Sequence, residues 1–184
     1  MKENSLKKKL KKIKALVLDV DGILTDGKII YDGDGKEIKI FDVQDGYGIV
    51  LFHRAGYKTA IISARCAVAV TVRAQDLGID RIYQDAKPKL KAYEELLRDL
   101  SLKDEEMCFM GDDLPDLQVL QRVGLAVSVP NGSPDVKRKA HHITKRSGGQ
   151  GAVREMVELI LKSQGKWQEI LDSVTLTATH KEKS

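Results

Sequence analysis

Aromatic side chains are scarce in this 184-residue chain: Phe, Tyr and Trp make up 5% of it. The core must therefore come from Val, Ile, Leu and Ala. Cysteine is nearly absent too, with Cys66 and Cys108 set in apolar contexts and no CxxC spacing. That excludes a disulfide framework and fits two buried free thiols in a reducing cytoplasm. His53, His141, His142 and His180 make no ligand spacing, so no His/Cys cluster points to zinc. No apolar run approaches the length of a membrane span. Asp19 and Asp21 interrupt the short run behind the N-terminal lysines, and no small-residue cleavage site follows, so no secretory leader is expected.

Charge is present but uneven. Six lysines against one glutamate put +5 on residues 1–12, which leaves the rest of the chain near −1 of the total +4. A basic arm of this kind can meet nucleic acid or a membrane surface. Here no aromatic is interleaved with the lysines and no basic helix face follows, so residues 1–12 read as a solvated, frayed extension. Residues 13–172 read as one domain, and residues 173–184 as a polar, loose tail.

The middle of the chain alternates buried strands with amphipathic helices. Strands are expected at Ile13–Leu18, Lys58–Ile62, Arg81–Tyr83, Met107–Met110, Leu125–Val127 and His142–Ile143. Lys28–Tyr31 and Glu37–Phe41 flank Asp32-Gly33-Asp34-Gly35, a hairpin signature. Helices are expected after Asp45 as cap, from Arg65 to Leu77, behind Pro88 in a first turn, from Pro115 to Val123, after Ser133, and from Ala152 to Leu161. The pattern gives an α/β fold with a mainly parallel sheet, whose ligands bind beyond the carboxyl ends of the strands.

Chemistry-bearing residues gather at those ends. Leu16-Val17-Leu18 runs into Asp19-Val20-Asp21, and strand geometry aims residues two apart at the same side. Ser63 closes the second core strand, Lys89 follows the third, and Gly111-Asp112-Asp113 closes the fourth. Neighbouring carboxylates repel unless a cation or a proton lies between them. An all-oxygen set suits magnesium, with Asp19, Asp112 and the main-chain carbonyl of Asp21 as protein ligands. Asp19 can then attack phosphorus as a nucleophile, and Asp21 can protonate the leaving group and later deprotonate water. Ser63 and Lys89 supply a donor and a positive charge for the transferring phosphoryl oxygens. Asp113 and Asp116 are either outer groups of the metal site or a helix cap.

Asp19-Val20-Asp21-Gly22-Ile23-Leu24-Thr25, Ser63, Lys89 and Gly111-Asp112-Asp113-Leu114-Pro115-Asp116 resemble the four motifs of the haloacid dehalogenase superfamily. Asp42-Val43-Gln44-Asp45-Gly46-Tyr47-Gly48, Ile61-Ile62-Ser63-Ala64-Arg65 and Gly148-Gly149-Gln150-Gly151-Ala152-Val153-Arg154-Glu155 bring the resemblance closer to its 3-deoxy-D-manno-octulosonate 8-phosphate phosphatase branch. It spans residues 13–165. The resemblance implies a Rossmann-like fold with a β-hairpin insertion and no separate cap domain. It implies magnesium-dependent hydrolysis of that sugar-acid phosphate in lipopolysaccharide core synthesis, and a homotetramer built by the hairpins; the free cysteines fit a cytoplasmic location. It places Asp42, Val43, Gln44, Asp45, Gly46, Arg65, Arg73 and Lys89 around the substrate. Val50 stands where some members carry arginine, which leaves a nine-carbon, sialic-acid-type phosphate as an alternative. A catalytically idle domain serving assembly or regulation is a further one. Gly148–Gly151 is either a lid over the site or a plain helix-entry turn.

Overall fold

The structure is a computed structural model that describes residues 2–179, with side chains over residues 4–175. Its chain order is α1 (Lys2–Leu10), β1 (Ala15–Leu18), β2 (Ile30–Tyr31), β3 (Glu37–Ile38), α2 (Val43–Arg54), β4 (Lys58–Ile62), α3 (Val68–Leu77), β5 (Arg81–Tyr83) and α4 (Lys89–Leu100). Then follow β6 (Met107–Met110), α5 (Leu117–Leu120), β7 (Leu125–Ser128), α6 (Pro134–Lys139), β8 (His142–Ile143), α7 (Ala152–Ser163) and α8 (Trp167–Thr179). Among the described residues, six strands form one parallel sheet in the order β5-β4-β1-β6-β7-β8, and β2 pairs with β3 antiparallel as a separate hairpin. The expected architecture is observed.

The continuous apolar runs of β1 and β6 follow from burial on both faces. Alternate residues feed two cores. Leu16, Leu18, Ile61, Cys108, Met110, Leu125 and Val127 pack with α2, α3 and α7. Ala15, Val17, Ala60, Ile62, Met107, Phe109 and Ala126 pack on the other side with α4, α5 and α6. β1 lies between β4 and β6, so its end sits at the middle of the sheet.

Local departures from the sequence reading have physical causes. Residues 1–12 are not a frayed arm, because α1 carries Leu6 and Leu10 one turn apart onto the core. Lys9 donates to the Gly124 carbonyl at 2.7 Å, and Gln164 donates to the carbonyls of Leu10 and Ile13. Lys7, Lys8 and Lys9 fall in the last turn of α1, where the helix dipole favours cations. The C-terminal segment is helical to Thr179 rather than loose from residue 173, with Trp167 and Ile170 packed against the core; residues 180–184, including His180, lie outside the described residues. The hairpin arms are two residues each. Helix α3 starts at Val68 and Pro88 caps α4 from outside it. A 3-10 turn, Leu114–Asp116, replaces the first turn of the expected helix at Pro115. Cys66 is exposed, at the surface before α3, and Cys108 is buried. No described helix is long and apolar enough to cross a membrane.

Candidate active site

Strand register brings the acids together. Leu18 pairs with Ile61 on one side and Met110 on the other. Asp19 thus emerges level with Ile62 and Gly111, one residue short of Ser63 and Asp112. The Asp19 amide donates to the Met110 carbonyl at 3.0 Å and fixes the strand exit. Lys89 opens α4 with its side chain buried, and its Nζ lies 2.7 Å from Asp19 Oδ1 and 2.6 Å from Asp116 Oδ1. A cation in a first helical turn opposes the helix dipole, and here two carboxylates compensate it. Burial alone would lower the Lys89 pKa; Asp19 and Asp116 outweigh it and hold it above the ordinary value.

Asp116 is 1% exposed and fully used. Its Oδ1 takes Lys89, and its Oδ2 accepts from the amides of Asp112 at 2.9 Å and Asp113 at 3.2 Å. It therefore braces the Gly111–Asp113 loop from behind. Asp113 is exposed and caps the 3-10 turn. Asp19, Asp112 and Asp116 each offer an oxygen within 4.8 Å of the others. Asp112 Oδ1 is buried without a hydrogen-bond partner among the described residues. Burial first, then the charges of Asp19, Asp116 and Asp113, push Asp112 up to about 8. Burial, then Asp116, pushes Asp19 up to about 6 against the pull of Lys89. An all-oxygen donor set, an orphaned buried oxygen and an excess of acid over base fit a magnesium ion.

The loop after Asp21 is shaped around Asp112. Gly22 has φ +94°, and a Cβ there would lie 2.1 Å from Asp112 Oδ2. Gly148 docks onto this loop so closely that a Cβ would lie 1.7 Å from the Gly22 carbonyl oxygen. The Gly149 amide donates to the Ile23 carbonyl at 2.9 Å. The 148–151 segment is therefore packed against the loop that follows Asp21. Ser63 is buried at the end of β4, and its hydroxyl accepts from the Arg65 amide at 3.2 Å.

The residues expected around a substrate divide. Asp42, not Asp45, caps α2, accepting from the Asp45 amide at 2.9 Å. Asp45 is 1% exposed and accepts from the amides of Gly151 at 3.2 Å and Arg154 at 2.8 Å. It lies in the α2–α7 seam and holds the start of α7, so it is not part of an open surface. Val43 and Gln44 are exposed. Arg73 packs its guanidinium against Gly46 and lines a cleft of ≈ 530 Å³ with Glu37, Phe41, Val68 and Val72. Arg65 lies over the site, 3.6 Å from Asp21 and 3.0 Å from Glu37. A cleft of ≈ 640 Å³ at the opposite end of the sheet, among Lys11, Lys14, Tyr57 and Lys58, contains none of these groups.

A sequence model of the haloacid dehalogenase-like hydrolases matches residues 57–156. The chain belongs to that family. The 3-deoxy-D-manno-octulosonate 8-phosphate phosphatase of Yersinia pestis is 44% identical over 154 residues, 84% of this chain and 82% of that protein. The enzyme of the same name from Escherichia coli K12 is 42% identical over 161 residues, 88% of this chain and 86% of that one. Among solved structures, the Moraxella catarrhalis phosphatase in complex with magnesium, phosphate and KDO aligns with a TM-score of 0.90 and 42% identity, covering 93% of this chain and 98% of that one.

In this hydrolase, three site groups escaped the sequence reading. Lys39 Nζ lies 2.5 Å from Asp21 Oδ1 and 2.8 Å from Glu37 Oε1, with 2% of its side chain exposed. The signal was the alternation in Glu37-Ile38-Lys39-Ile40, which puts the two charges on one face and the isoleucines on the other. Asn131 donates to the Gly22 carbonyl at 3.2 Å and accepts from the Gly148 amide at 2.9 Å. It stands just beyond β7, and the strand-end rule extended to that strand would have found it. Arg146 donates to Gln44 at 2.6 Å, which ties the segment before α7 to the start of α2; its sequence context carried no signal.

Proposed function

We propose that this chain hydrolyses 3-deoxy-D-manno-octulosonate 8-phosphate to the free sugar acid and phosphate, with magnesium, through an aspartyl-phosphate. The observation that carries the reading is the buried Asp19–Lys89–Asp116 chain with Asp112 Oδ1 left open beside it. The names of the Yersinia, Escherichia and Moraxella relatives supply the substrate class.

Asp19 attacks phosphorus and the bond to the sugar oxygen breaks. Asp21 gives that oxygen its proton, then takes one from the water that hydrolyses the phosphoenzyme. Lys89 holds Asp19 on its Oδ1 side and presents positive charge to the phosphoryl oxygens, with the Ser63 hydroxyl as a further donor. Asp19, Asp112 and the Asp21 main-chain carbonyl are the residues to hold magnesium, which when bound neutralises charge on the acids and on the phosphoryl group. Asp116 is spent on Lys89 and two amides, and Asp113 stays at its rim. Arg65 and Arg73 face the substrate carboxylate, and Asp42, Val43, Gln44 and Gly46 border the same opening, with Asp45 anchoring them to α7.

The hairpin exposes Ile30, Tyr31, Ile38 and Ile40, an apolar face that supports a homotetramer; light scattering that reported a monomer would contradict it. A cytoplasmic location accords with the substrate and with the free thiols. The decisive experiment measures phosphate release from the eight-carbon substrate, with a nine-carbon sugar-acid phosphate in parallel. Asp19→Asn is expected to abolish release, by ~10⁴-fold or more, while the circular dichroism spectrum is kept. Full activity of that variant, or of the wild type in excess chelator, overturns the mechanism.

A further inference from the structure

The hairpin contributes more than an apolar edge, because its inner face reaches the acid–base residue. Asp21, Lys39, Glu37 and Arg65 form a closed ring of alternating charge. Lys39 Nζ bridges Asp21 Oδ1 at 2.5 Å and Glu37 Oε1 at 2.8 Å. Arg65 bridges the far oxygens, 3.0 Å from Glu37 Oε2 and 3.6 Å from Asp21 Oδ2. Lys39 is the most enclosed member, with 2% of its side chain exposed against 43% for Arg65. Lysine is almost never buried without paired charge, and replacing a buried ion pair by apolar groups is often neutral or stabilising. Stability is therefore a weak reason for this lysine, and geometry is a better one.

The two oxygens of Asp21 are treated differently. Oδ1 is gripped at hydrogen-bond distance by Lys39. Among the described residues, Oδ2 has only Arg65 at 3.6 Å, beyond hydrogen-bond reach. A carboxyl group clamped at one oxygen presents the other in a fixed direction. Proton transfer to a leaving group demands placement of that kind.

Resting on the phosphatase reading above, we propose that Lys39 is a positioning residue for Asp21: by holding Oδ1 it aims Oδ2 at the leaving oxygen, so the hairpin sets leaving-group protonation. Glu37 acts one step further out, by holding Lys39.

The test compares kcat/KM, which reports on the steps through departure of the first leaving group, for three esters: 3-deoxy-octulosonate 8-phosphate, a simple alkyl phosphate such as glycerol phosphate, and p-nitrophenyl phosphate. The first two release an alcohol that needs a proton. The third releases a stable phenolate that does not. Lys39→Met is expected to lose about 10²-fold on both alkyl esters and to stay within about threefold on the aryl ester. Lys39→Arg should recover most of the alkyl activity. Glu37→Gln should show the same selectivity to a smaller degree, and it carries the test if the methionine variant does not fold. An equal loss on all three esters, a loss on the sugar-acid ester alone, or no loss overturns the proposal. Wild-type protein that hydrolyses none of the three would overturn the phosphatase reading, and the proposal with it.

Discussion

Asp19 and Asp45 are both buried carboxyls, and burial is the main reason each is pushed up to about 6. What faces them differs. Asp45 sits in the α2–α7 seam with two backbone amides on its oxygens. Asp19 sits at the strand ends among Asp112 and Asp116, with Lys89 as their common cation and one oxygen of Asp112 unpartnered. A buried acid whose oxygens are filled by amides holds the fold. A buried acid that faces other acids keeps room for an outside charge, at a cost in stability. The two regions should therefore respond in opposite senses when a carboxyl group is lost: the seam loses the acceptor of two amides, and the strand-end cluster loses an acid it holds at a cost.

The largest effect that sharpens this contrast belongs to Asp112→Asn. Its phosphatase activity is expected to fall on the order of 10³-fold, about 4 kcal/mol in the barrier. In chelator the same variant should melt above the wild type, by about 2–4 °C, because asparagine is free of the cost of burying an acid beside Asp19 and Asp116. Melting below the wild type in chelator would mean that the strand-end acids are structural after all.

Next comes Asp45→Ala. It leaves the Gly151 and Arg154 amides without their acceptor inside the seam. A lost helix cap and unpaired buried donors together cost about 3 kcal/mol, which is about 6–12 °C in Tm for a chain of this size. Calorimetry with and without magnesium should give the same drop. A shift no larger than that of a surface substitution would erase the difference between the regions.

The contrast also marks what the sequence could be made to say. β1, β4, β6 and β7 were legible because strands buried on both faces read as nearly uninterrupted apolar runs. Asp19, Asp21, Ser63 and Asp112 were legible as candidates because each stands at or just beyond the place where such a run stops, and Lys89 because it follows the next strand at the start of a helix. Asp45 was misread as the cap of its own helix. Its partners lie more than a hundred residues away, and only the packing of α7 on α2 reveals them. Lys39 was missed for the same reason: hairpin alternation shows that it shares a face with Glu37, but not that this face folds over Asp21. The arm was misjudged because six lysines hid the spacing of Leu6 and Leu10 that makes one face of α1 apolar.

The smallest effect tests the seam by itself. Asp45 titrates at about 6 in the folded chain against an ordinary 3.8, so folding favours its protonated form. A raised carboxyl contributes stability that is fully present below the ordinary value and is lost as pH rises through the folded one. The gap sets a ceiling of about 3 kcal/mol on the loss between roughly pH 4 and pH 6.5. Asn at this position is neutral at every pH and keeps one acceptor oxygen, so its net offset from the wild type is small. The offset should nevertheless move in one direction: the stability of Asp45→Asn relative to the wild type rises from pH 4 to pH 7. Urea midpoints at four or five pH values read that slope. A flat difference would mean that the two amides fully offset burial. A falling one would mean that they favour the ionised carboxylate, and Asp45 would then be a charged cap for α7, with no cost of the kind borne by Asp19.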